Sequence, residues 1–180
     1  MSLKGKNIII GVCGGIAAYK ACDLIRALVK EGANTECILT KNGAKFITPL
    51  TLQTLSKNKV WTKMFDSESE WDIDHISLAK KADIIVVAPA TANIIAKLAA
   101  GAAGDLLTTT ILASKAKILI CPSMNTNMLN HPATSKNIEI LKSYGYKIVD
   151  SQKGELACGD IGDGRLADTE TILKAIKKSK

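Results

Sequence analysis

Past a polar first residue, three runs of this chain are continuously apolar, not on alternate residues: 7–12 (NIIIGV), 83–88 (DIIVVA) and 117–121 (KILIC). A strand with one wet face alternates in polarity. A strand with no polar face has to be covered on both sides, which is the condition of a parallel sheet held between two layers of helices. Helix-length segments fall between these runs. Over residues 17–31, Ala18, Ala21, Cys22, Ile25, Leu28 and Val29 share one face, and Gly32 stops the segment. A second strand is expected at 35–39, a weaker helix at 44–55 broken by Thr48-Pro49, and helices at 92–100 and 105–113 around Gly101 and Gly104. A helix at 134–144, a short strand at 147–149 and a closing helix at 169–178 complete the pattern. The fourth and third major strands are each expected to end at a proline, Pro122 and Pro89. The fold expected is a single α/β domain over residues 1–180, a Rossmann-like (flavodoxin-like) parallel sheet with helices on both faces. Such sheets bind ligands beyond the carboxyl ends of their strands.

Two stretches carry neither period, 60–75 and 150–168. The second places Gly154, Gly159, Gly162 and Gly164 around Cys158 and Arg165. It reads either as a mobile flap over a site or as an ordinary surface loop.

Composition narrows the class. The chain has 180 residues, 47% hydrophobic and 23% charged, as in a soluble globular domain. Its net charge of +7 owes much to Lys174, Lys177, Lys178 and Lys180 at the C-terminal end. With aromatics at 4%, a basic tail without stacking platforms argues against nucleic acid as a partner. The five cysteines are scattered, with no CxxC pair. Cys13, Cys37 and Cys121 lie in apolar runs and read as small buried hydrophobes, whereas Cys158 lies among glycines and charges. No secretory segment follows Met1 and no apolar run is long enough to span a membrane, so a reduced cytoplasmic protein is expected.

The residues with chemical potential sit just past strand ends. After the first strand comes Gly11-Val12-Cys13-Gly14-Gly15-Ile16-Ala17, spaced GxxGG and not GxGxxG. Glycines between strand and helix let backbone approach a phosphate, although simple turn glycines look the same. A site for NAD wants an acidic residue after the second strand, where this chain has Thr40-Lys41. A hydroxyl and a cation suit the single terminal phosphate of FMN better. The third strand enters Pro89-Ala90-Thr91-Ala92-Asn93, in which small residues admit a planar ring and Thr91 or Asn93 equally reads as a helix cap. The fourth enters Pro122-Ser123-Met124-Asn125-Thr126-Asn127-Met128. A neutral amide such as Asn125 can hold a carboxylate without the ion pair that would stabilise it against loss. Of two histidines, His131 in Asn130-His131-Pro132 reads as a helix-entry residue. His75, between Asp74 and Ile76, reads either as structural or as a proton-transfer group. No cluster has metal-ligand spacing, so no metal is expected.

Together these motifs resemble the homo-oligomeric flavin-containing cysteine decarboxylases, most closely the branch acting on phosphopantothenoylcysteine in coenzyme A biosynthesis. The resemblance runs from Gly14-Gly15-Ile16-Ala17 to Arg165. It takes in His75, a PASANT-like motif at 89–94 (PATANI) and a PxMNxxMW-like motif at 122–129 (PSMNTNML), with Leu129 in place of tryptophan. Ala157-Cys158-Gly159-Asp160, with Gly162, Gly164 and Arg165, is similar to that branch's mobile substrate clamp, expected at about 150–168.

The resemblance implies catalytic roles for His75, Asn125 and Cys158. It implies an FMN site made by Gly14, Gly15, Ile16, Ala17, Thr40, Phe46, Pro89, Ala90, Thr91, Asn93, Ser123 and Met124. Substrate would be held by Asn125, Met128, Ala157, Gly159 and Arg165. The implied reaction oxidises the cysteine CH2–SH, loses carbon dioxide from the resulting electron sink, and returns hydride to give the saturated thiol, with Cys158 as proton donor. Trimers, or dodecamers built of trimers, with the histidine supplied by a neighbour, are also implied. So is a ligase, separate or fused, that makes the substrate; the chain is read as a lone decarboxylase or a piece of a longer protein. Three alternatives share features: a flavin prenyltransferase, a peptidyl-cysteine decarboxylase that stops at the enethiol, and an inactive flavin-binding regulatory subunit. His75 together with the clamp argues against the first, the cysteine clamp against the second, and the full set of His75, Asn125 and Cys158 against the third.

Overall fold

A computed structural model describes residues 2–65, 74–157 and 159–179. Strands β1 (Asn7–Val12), β2 (Asn34–Leu39), β3 (Val60–Trp61), β4 (Ile84–Ala90), β5 (Lys117–Pro122) and β6 (Lys147–Ile148) form one parallel sheet in the order β3-β2-β1-β4-β5-β6. That is the doubly wound order, and it reverses direction between β1 and β4, where two neighbouring strands send their chains to opposite sides. The continuous apolar runs are buried as expected: every residue of β4 and all but the first of β1 and β5 are inaccessible.

The two faces are covered by different helices. On one, α1 (Ala21–Lys30) buries Ala21, Leu24, Ile25 and Leu28, at i, i+3, i+4 and i+7, and packs with α2 (Pro49–Ser56) and with α8 (Thr169–Lys178) through Ile172 and Ile176. The other carries α3 (Asp74–Lys81), α4 (Ala92–Ala99), α5 (Leu106–Ala113) and α7 (Pro132–Ser143), whose Leu78, Ile94, Ile95, Leu98, Leu106, Leu107, Ile111 and Leu141 close over Ile9, Ile85, Val87 and Ile120. Truncating a side chain as buried as Leu28 should cost about 2–5 kcal/mol.

Several elements depart from the sequence-based expectation. The segment expected as one helix from residue 17 opens as a 3-10 turn, Ile16–Lys20, before α1. The weaker helix resolves into a 3-10 turn, Gly43–Lys45, and α2, with Thr48 as the cap and Pro49 in the first turn, where a proline costs no hydrogen bond. Strands β4 and β5 run through Pro89 and into Pro122: the ladder skips across the cis Ala88–Pro89 bond and resumes at Ala90↔Pro122, because proline has no N–H to donate. His75, expected in an irregular stretch, is the second residue of α3. Residues 150–168 contain an antiparallel hairpin, β7 (Gln152–Glu155) and β8 (Ile161–Arg165), and a short α6 (Thr126–Asn130) follows β5. No helix among the described residues is long and apolar enough to cross a membrane.

Candidate functional site

At the switch point, the chain leaving β1 turns through Cys13, Gly14 and Gly15. The two glycines have different reasons to be there. A Cβ on Gly14 would lie 2.5 Å from Asn42 Cβ and 2.8 Å from its carbonyl carbon, so this glycine lets the loops after β1 and β2 touch. A Cβ on Gly15 would meet only Thr91 Cγ2, at 3.7 Å; this glycine faces open space. The loop after β2 is pinned in the same way. Thr40 Oγ1 donates to the Val12 carbonyl (3.2 Å) and accepts the Gly43 N–H (3.1 Å), and a Cβ on Gly43 would sit 2.6 Å from that carbonyl. The Thr40 hydroxyl is therefore structurally engaged, and the exposed Lys41, which makes no ion pair among the described residues, is the cation on this rim.

Across the switch point, Thr91 caps α4, its hydroxyl accepting the Ile94 N–H at 3.4 Å, while exposed Asn93 faces outward from the first turn. Between these loops lies a cleft of about 550 Å³ lined by Gly14, Gly15, Lys41, Thr91, Asn93 and Met124, among others. It also includes the Lys97–Asp105 ion pair (2.8 Å). Burial pushes the Asp105 carboxyl up, but hydrogen bonds from Lys97 and Thr108 outweigh it and hold the group below its ordinary range. The cleft is thus mostly neutral, open to a planar group at Gly15 and cationic at one rim, a donor set that fits a flavin with one phosphate.

A second cavity of about 580 Å³ adjoins the first, with Gly15, Ser123 and Met124 lining both. Its walls are the 3-10 turn, the loop after β5 and the β7–β8 hairpin. The hairpin is seated by backbone: Met124 N–H donates to the Gly164 carbonyl (3.0 Å), and the Thr126 hydroxyl to the Asp163 carbonyl (2.6 Å). Gly164 has φ +116°, and a side chain there would run into the Met124 carbonyl. Asn125 lines this cavity and caps α6, its Oδ1 accepting the Asn127 N–H at 2.8 Å, which orients the amide.

Of the residues singled out from sequence, the cleft gathers Gly14, Gly15, Thr40, Thr91, Asn93, Ser123, Met124 and Met128. The second cavity gathers Ile16, Ala17, Asn125, Ala157 and Arg165. Phe46, half exposed after the 43–45 turn, lines neither, nor do Pro89 and Ala90, which sit within β4 and support it from below. Gly159 is exposed with φ +88° and lines neither cavity. Cys158 lies outside the described residues. His75 lies on α3 and lines neither cavity, and its buried Nδ1 has no hydrogen-bond partner among the described residues. His131 caps α7, its Nδ1 accepting the Ala133 N–H, the entry role read from sequence. Burial drives the thiols of Cys13, Cys37 and Cys121 to about 12, so they behave as small hydrophobes. No group of three or more potential metal ligands occurs among the described residues. Tyr19, Lys20, Lys97, Asp105 and Leu156 also line the cavities without having been anticipated, because nothing in their local sequence separates them from helix-face or loop residues.

Comparison with known proteins agrees with this fold. The family model Flavoprotein matches residues 1–180. The coenzyme A biosynthesis bifunctional protein CoaBC of Bacillus subtilis is 47% identical over 176 residues, 98% of this chain and 43% of that one. The chain therefore spans less than half the length of the bifunctional relatives it matches. A probable phosphopantothenoylcysteine decarboxylase of Streptococcus mutans is 43% identical, with 96% of this chain covering 98% of that protein. Among solved structures, a PPC decarboxylase mutant complexed with pantothenoylaminoethenethiol superimposes with a TM-score of 0.86 at 27% identity, over 97% of this chain and 98% of the other. The FMN-dependent cysteine decarboxylase SpaF gives 0.86 at 27% identity, over 99% and 97%.

Proposed function

This chain belongs to the Flavoprotein family, and from that premise we propose that it is an FMN-dependent decarboxylase converting 4′-phosphopantothenoylcysteine to 4′-phosphopantetheine in cytoplasmic coenzyme A biosynthesis. The observation that carries the reading is the pair of joined cavities. One is a neutral cleft at the switch point with a cationic rim; the other contains Asn125 and is roofed by the hairpin. Relatives at 43–47% identity named for this pathway support the choice of substrate over a peptide.

FMN would rest against Gly15 and Thr91 with its phosphate toward Lys41. When bound, it supplies the reversible two-electron chemistry that turns the thiol-bearing carbon into a sink for the electrons of the departing carboxylate. Asn125, oriented by its bond to Asn127, holds that carboxylate without a positive charge that would favour keeping it. His75 manages the thiol proton, and Cys158 returns a proton to carbon once carbon dioxide has left. The hairpin acts as the clamp that keeps water out during the reaction.

Because His75 lines neither cavity of its own chain, it serves a site on a neighbouring copy in a homo-oligomer, a trimer or an assembly of trimers. Chromatography of the cofactor released on denaturation tests the cleft, FMN being expected; recovery of FAD or a nicotinamide would sink the assignment. Cys158→Ser tests the final step: carbon dioxide is released, and the product is an enethiol lighter than the normal thiol by two hydrogens. Normal saturated product from that variant would remove Cys158 from the donor role.

A further inference from the structure

The second cavity has two ends. At one it meets the flavin cleft, through Gly15, Ser123 and Met124. At the other it meets a smaller recess of about 240 Å³, through Tyr19, Lys20, Arg165 and Leu166, which line both. The far end therefore carries two cations. Lys20 is half-buried at the close of the 3-10 turn, and Arg165 ends β8, its side chain lying across Gly154, where a Cβ would come within 3.1 Å of Nη1. Neither makes an ion pair or side-chain hydrogen bond among the described residues.

The carboxylates nearby do not neutralise them. Asp168 is committed to the Thr171 N–H (2.7 Å) and the Gln152 amide (2.8 Å), and Glu155 and Asp23 line the walls without pairing to either cation. Burial, and then the nearby Arg165 charge, pulls the Lys20 ammonium below its ordinary value. Two like charges lining one cavity, neither of them ion-paired with the carboxylates around it, are an arrangement that an incoming dianion can bridge.

We propose that Lys20, with Arg165, is the anchor for a phosphomonoester dianion at the tail of the substrate, and so sets specificity for the phosphorylated compound. The inference rests on the decarboxylase reading above, which puts the reacting thiol and carboxylate at the flavin end. A substrate threaded from that end reaches the Lys20–Arg165 end with its remote group. Binding energy collected there serves to hold the reacting end in place.

The test uses the FMN-loaded protein with phosphopantothenoylcysteine and with its dephosphorylated counterpart. Wild type should prefer the phosphorylated compound in kcat/KM, and inorganic phosphate should compete with it. Lys20→Met should lower that preference about tenfold or more, mostly through KM, as expected for one lost charge-assisted contact. Lys20→Arg should keep most of the preference, and Arg165→Met should lower it as Lys20→Met does. Equal losses on both compounds, or an unchanged preference in Lys20→Met, would overturn the anchor. If wild type turns over both compounds equally well, the decarboxylase stands and the anchor falls. If it turns over neither, both readings fall.

Discussion

The strand-end cleft and the β7–β8 hairpin face the same cavity system but are built by opposite means. The cleft is held from behind by close backbone packing: Gly14 against Asn42, Gly43 against the Val12 carbonyl, and Thr40 bridging the two loops, which leave the ends of the largely buried strands β1 and β2. The hairpin alternates half-buried and exposed residues along β7 and is tied down by two hydrogen bonds from the 124–126 loop. The difference teaches that the cofactor side is set by the stability of the whole sheet. The proposed substrate side rests instead on a two-stranded element held by its own pairing and by those few contacts.

The largest expected effect comes from a residue in neither region. His75→Asn should keep its flavin and lose turnover by about 10²-fold or more, if the histidine that lines no part of the cleft has the proton-transfer role proposed for it. Mixing it with Asn125→Ala should restore partial activity in hybrid oligomers. No rescue, with subunit exchange demonstrated, would place the whole site in one chain and break the comparison.

Next come paired glycine substitutions that set the two regions against each other. Gly14→Ala forces a methyl onto Asn42 and should cost about 1–3 kcal/mol, seen as a lower melting temperature and loss of FMN absorbance on purification. Gly164→Ala adds a left-handed penalty of about 1–2 kcal/mol and also drives its methyl into the Met124 carbonyl, so the hairpin must shift off the 124–126 segment. It should retain FMN and a near-normal melting temperature while kcat/KM falls. If Gly164→Ala sheds its flavin as Gly14→Ala does, the two regions are one cooperative unit.

The smallest effect lies at the hairpin's exit. Hydrogen bonds from Gln152 and then Thr171 hold the Asp168 carboxyl down at about 2, from an ordinary 3.8. A depressed carboxylate stabilises the fold above its unfolded value, and that share is lost as pH falls from about 4 toward about 2. Asp168→Ala should cost about 1 kcal/mol near neutrality as a lost helix cap, and should show a shallower decline over that acid window. Denaturant melts at both pH values measure it; an undiminished decline would assign acid sensitivity to other groups.

How far the sequence could be read follows the same division. β1 and the body of β4 and β5 were legible because burial on both sheet faces writes an unbroken apolar run, and α4 and α8 because burial of one helical stripe writes a period. Helix α3 was not: of DHISLAKK only Leu78 and Ala79 are buried hydrophobics, too few to show 3.6 spacing, so His75 was read as part of an irregular stretch. The hairpin escaped because QKGE and IGDGR lack apolar alternation; its pairing is specified by glycines and backbone contacts to a loop far off in sequence. Within the site, Gly15, Thr91 and Asn125 were visible through their place after strands. Lys20 was not, since only the hairpin's return brings Arg165 to the same cavity.

The central claim is that these joined cavities decarboxylate a phosphopantothenoylated cysteine and return the hydride. Mass analysis of the product, after anaerobic incubation of the purified FMN-loaded protein with 4′-phosphopantothenoylcysteine, tests it most directly. The saturated thiol, with carbon dioxide released in equal amount, is the predicted result. An enethiol as the end product would make the chain an oxidative decarboxylase, and unchanged substrate would contradict the account.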